Sequence, residues 1–60
     1  MSLKLTPNIP DPDGFYETLI NVHEGLTKDE SDALNARLIL ILVNHIGDRA
    51  VLAAALKAAR

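Results

Sequence analysis

The sequence predicts an all-α fold: an antiparallel helical hairpin and a C-terminal helix, preceded by an extended N-terminal arm, in a chain that associates with copies of itself. Three observations predict it. Apolar residues recur at spacings of three and four in three stretches. Each stretch opens on a residue suited to capping a helix, Asp11, Thr27 or Asp48. Glycines 25 and 47 close the first two.

Residues 1–11 form the arm, because Pro7, Pro10 and Pro12 each disfavour a helical predecessor and no periodicity is sustained there. Asp11 caps a first helix over 12–24. Pro12 sits at the first helical position, where its missing N–H costs nothing, and Asp13 and Glu17 complement the positive end of the dipole. Phe15, Leu19 and Val22, flanked by Tyr16, Ile20 and His23, mark the face to be buried. Thr27 and Glu30 have capping-box spacing and start a second helix over 28–46, about 28 Å long at 1.5 Å per residue. Gly47, in the left-handed conformation, ends it, and Asp48 caps a third helix over 49–59 lined by Leu52, Ala55, Leu56 and Ala59. Short connections make the first two helices antiparallel neighbours, and the third either folds back across them or packs on another chain.

Size points to a partner. A 6.5 kDa chain folded compactly exposes about 3,800 Å² of the roughly 9,400 Å² its unfolded form exposes. The apolar gain then nearly cancels the entropy of ordering. Chains this short usually add disulfides, a metal or another chain, and the absence of cysteine removes the first and every thiolate metal site. The composition, 48% hydrophobic and 23% charged, is that of a globular protein.

Helix 2 is where a partner is expected. Leu34, Leu38, Ile39, Leu40, Ile41, Leu42, Val43 and Ile46 surround nearly its whole circumference, and only Glu30, Arg37 and Asn44 form a polar stripe. A helix apolar on so many sides is covered on several of them. Leu34, Leu38, Leu42 and Ile46 can be covered by helices 1 and 3. Leu40 and Ile41, on either side of Arg37 and Asn44, point elsewhere, and these four residues with Val43 form the expected interface. Asn35, on the apolar side, is expected to fix the register of association. A two-fold dimer is the expected assembly, as the commonest closed symmetry.

Other chemistries are poorly supplied. Asp11, Asp13 and Gly14 suggest a calcium loop, but with Gly14 at the sixth position the first and twelfth are Ile9 and Ile20. His23, Glu24, His45 and Asp48 are the set that resembles metal or acid–base chemistry, yet an antiparallel hairpin separates the histidines by about 25 Å. The alternative function is that of a small-ligand or metal-binding protein using His45 and Asp48, joined by Asp11 or Asp13, at an oligomer interface, against the simpler reading that each histidine caps its own helix end. Ser2 and Ser31 lack a matching base, and isolated glycines make no phosphate loop, so no catalytic residue, metal or cofactor is expected.

Helix 2, Gly47 and helix 3 have a helix-turn-helix outline that would make Arg49, Lys57 and Arg60 face DNA. Three charges on an alanine-rich helix are too few, and the net charge of −2 opposes phosphate binding, so no nucleic-acid partner is expected. The longest unbroken apolar run, Leu38 to Val43, is far short of the roughly 18 residues of a membrane helix, so no membrane partner is expected either. Residues 1–10 contain Lys4, Asn8 and two prolines, unlike a secretory signal, and the expected location is the cytoplasm.

Asp-Pro-Asp-Gly-Phe-Tyr-Glu at 11–17, His-Glu-Gly-Leu at 23–26, Leu-Asn-Ala-Arg-Leu-Ile-Leu at 34–40 and Asn-His-Ile-Gly-Asp at 44–48 together resemble the domain-of-unknown-function family numbered 2783. The resemblance covers most of the chain, from about Asn8 to Leu56. It implies a small helical bacterial protein and brings no activity, ligand or catalytic residue with it. The expected function is that of a non-catalytic protein–protein interaction module, either a homo-oligomer or, as the resemblance implies through flavin-dependent and aromatic-degrading enzymes encoded near such proteins, a small accessory subunit of a larger oxidoreductase.

Overall fold

The computed structural model describes residues 2–60 and contains three helices: α1 (Pro12–Asn21), α2 (Lys28–Ile46) and α3 (Arg49–Ala59). Among the described residues there is no strand, so the chain is all-α. Residues 2–11 form an arm without regular structure, and Met1 lies outside the described residues.

Local signals set the helix ends. The Asp11 carboxylate accepts from the Gly14 N–H at 3.2 Å, and Asp11 itself takes a left-handed backbone conformation, φ 49°, which a short polar side chain tolerates better than most. At α2 the capping box is complete: the Thr27 hydroxyl accepts from the Glu30 N–H at 3.2 Å, and the Glu30 carboxylate accepts from the Thr27 N–H at 2.9 Å. One oxygen of Asp48 accepts from both the Ala50 and Val51 N–H groups, at 3.0 and 3.1 Å, and starts α3. Gly47 carries the left-handed turn between α2 and α3, φ 64°, and its N–H donates to the Val43 carbonyl at 3.0 Å.

α1 ends at Asn21, three residues before the expected 24. From there the chain tightens: His23 N–H donates to the Ile20 carbonyl and Glu24 N–H to that of Asn21, each at 3.1 Å and each spanning three residues instead of four. Gly25, φ 81°, then turns the chain toward α2.

The described chain has almost no core. Val51 is its one buried hydrophobic residue, 7% exposed, and no two helices pack closely along their lengths. Leu19, Leu34, Leu38 and Leu52 are half-buried. The expectation that α1 buries Phe15, Tyr16, Ile20 and Val22 fails, as does the expectation that α1 and α3 cover Leu42 and Ile46; all six are exposed. The reason is reach. α1 is only ten residues long and α3 is built mostly of alanine, so neither has the side-chain volume to sheathe a nineteen-residue apolar helix. The radius of gyration, 13.3 Å, exceeds the roughly 10 Å of a compact 60-residue chain.

Candidate functional site

α2 and α3 meet at an angle set by Gly47 and Asp48, and the angle leaves an open groove of about 700 Å³ between them. Ile39, Leu42, Val43 and Ile46 form its α2 wall. At 100° per residue these four fall within an arc of about 100°. Leu52, Ala55, Leu56 and Ala59 form the α3 wall, where the alanines allow a neighbouring backbone to approach closely, and Arg49 stands at one end. A second hollow, of about 540 Å³, lies between the arm and α1, lined by Leu5, Pro7, Ile9, Asp13 and Tyr16 among others.

Of the residues singled out for association, Leu40 stands about 60° round the helix from the groove wall, and Arg37, Ile41 and Asn44 lie on the far side of α2 from it. Leu40 and Ile41 are 68% and 65% exposed, and Arg37 and Asn44 are exposed between them. Val43 belongs to the groove wall itself. The groove was hard to read from sequence, because Leu42 and Ile46 have the same spacing whether a neighbouring helix covers them or not.

The polar candidates do not form a centre. Among the described residues no three His, Asp or Glu side chains converge where they could hold a metal ion. Asp11 and Asp48 spend carboxylate oxygens on helix caps, Asp13 lines the hollow beside the arm, and His45 is exposed in the last turn of α2.

His23 is tied differently from His45. Its Nδ1 lies 2.7 Å from the Leu19 carbonyl and its Nε2 lies 2.7 Å from Asn35 Oδ1, which joins the end of α1 to α2. Asn35 therefore has a partner in its own chain through Oδ1. Two acceptors facing the ring favour imidazolium, since only the cation can donate from both nitrogens. The hydrogen bond to Leu19, and after it the one to Asn35, raise the His23 pKa above the ordinary 6.5, while desolvation acts the other way. A pKa raised on folding gives stability that is fully present below about pH 6.5 and is lost as pH rises through the folded value. His23→Gln should therefore cost more in melting temperature at pH 5.5 than at pH 8.5. An equal cost at both would show that His23 does not hold its proton through these bonds.

No curated protein and no solved structure matches the chain, and no helix among the described residues is long and apolar enough to cross a membrane. The model of the family described as protein of unknown function (DUF2783) matches residues 3–60, nearly the whole chain. The chain belongs to the DUF2783 family.

Proposed function

We propose that this chain is a non-catalytic helical association module, a homo-oligomer built through α2. One observation carries the reading. The chain exposes 5475 Å², where a compact monomer of this mass exposes about 3,800 Å². The surplus is about 1,700 Å² per chain, and the exposed large hydrophobics include Ile39, Leu40, Ile41, Leu42, Val43 and Ile46. A monomer with that surface forgoes the burial that offsets ordering entropy. Association restores it.

The reading takes two forms, self-association and service as a small subunit of a larger enzyme, an oxidoreductase in the form the family resemblance suggests. Sedimentation equilibrium of the purified chain at micromolar concentration distinguishes them. Self-association predicts a mass of twice 6.5 kDa or more together with full helicity. A poorly helical monomer that folds only with an untagged host protein supports the subunit form, and a well-folded monomer overturns both.

A further inference from the structure

We propose that the groove between α2 and α3 is filled by α3 of a second copy of this chain, in a two-fold arrangement in which each Leu56 is seated between the partner's α2 and α3. The proposal rests on the association reading and names the face and the occupant.

Area and symmetry lead to the same occupant. The surplus surface of about 1,700 Å² per chain, which the arm and α1 share with the groove, is about twice the roughly 800 Å² per partner buried in a standard specific interface, so half of it suffices for a stable dimer.

An isologous contact also requires one patch to be complementary to itself. The α3 wall meets this condition. Leu56 lines the groove yet is 75% exposed, so its own chain does not cover it, while Ala55 and Ala59 leave room beside it for another chain's large side chain. Large meets small across the two-fold axis: Leu56 of each copy enters the space that the other's alanines leave open, against Ile39 and Val43. Two α2–α3 pairs closed in this way make a four-helix unit with its apolar faces inside.

Leu56→Glu in the full-length chain, compared with Ala54→Glu, tests the proposal. Residue 56 is exposed in the single chain and Ala54 is exposed outside the groove lining, so neither change disturbs an isolated fold. Leu56→Glu is expected to weaken dimerisation by roughly tenfold or more in sedimentation equilibrium, because a leucine is lost and a carboxylate buried at each of two equivalent seats. Ala54→Glu is expected to change it less than about twofold. The unaltered protein gives an independent readout: in a mixture of isotopically labelled and unlabelled chains, intermolecular NOEs should connect Leu56 methyls to those of Ile39 and Val43. A dimer whose intermolecular NOEs involve only Leu40 and Ile41, or one unchanged by Leu56→Glu, overturns this proposal and leaves the association reading standing. A wild-type chain that is a folded monomer overturns both.

Discussion

Leu40→Lys should turn an associated, helical protein into a dissociated and largely unhelical one. In the isolated chain Leu40 is 68% exposed, and a lysine there would be harmless or mildly favourable. In an assembly centred on α2 the same lysine must lose its water or push the chains apart. Removing one buried leucine costs about 1.5–3 kcal/mol, and a two-fold dimer loses it twice, so about 3–6 kcal/mol is at stake. A 60-residue domain has only about 3–9 kcal/mol of total stability. Dissociation and loss of helicity should therefore coincide. The wild-type melting temperature should also rise with protein concentration, because folding is linked to association by mass action. Sedimentation equilibrium and far-ultraviolet circular dichroism on the same samples measure both effects. A Leu40→Lys protein with wild-type mass and helicity would remove Leu40 from the interface.

Leu40 and the groove are neighbours. On the helical wheel Leu40 lies about 60° beyond Val43, at the edge of the arc that forms the α2 wall. Ile41 lies on the opposite side of the polar stripe, nearer the half-buried Leu34. The two leading interface residues therefore border different neighbours, and their separate lysine variants would report on different sides of α2.

What could be read from the sequence was mostly local. Thr27 with Glu30, Asp48, and Gly47 each act through atoms within four residues of themselves, so their roles follow from spacing alone. The end of α1 was less legible, since Val22, His23 and Glu24 are all compatible with helix and only the three-residue hydrogen bonds before Gly25 tighten the chain out of it. The tie between His23 and Asn35 was not legible, because the two are twelve residues apart and their meeting depends on the turn between α1 and α2. The groove was hidden for a different reason. Periodicity says which residues want to be covered and is silent about which neighbour covers them, so spacing points Leu42 and Ile46 at α1 and α3, although neither helix is large enough to reach around α2.

Gly47→Val should lower stability by about 1–2 kcal/mol or more, and it should act through the angle between α2 and α3. Gly47 has φ 64° and ψ 4°, the left-handed region where a β-branched side chain is most strained. Collision is not the cause, since a Cβ at residue 47 would stand 3.7 Å from its nearest neighbour outside the adjoining residues, the Asn44 carbonyl oxygen, an ordinary contact. The cost is torsional. Asparagine, which tolerates this conformation, should cost least, alanine more and valine most. A valine chain can escape the strain by moving residue 47 into the right-handed helical region, but α2 would then run on toward α3 and the groove they enclose would open out. Chemical denaturation at one fixed protein concentration should therefore give midpoints in the order glycine, asparagine, alanine, valine. Sedimentation of the valine protein should show weakened association even where it remains helical. Equal midpoints for glycine and valine would mean that the left-handed turn at 47 is not needed, and full association of a valine protein would mean that the angle between α2 and α3 does not shape the interface.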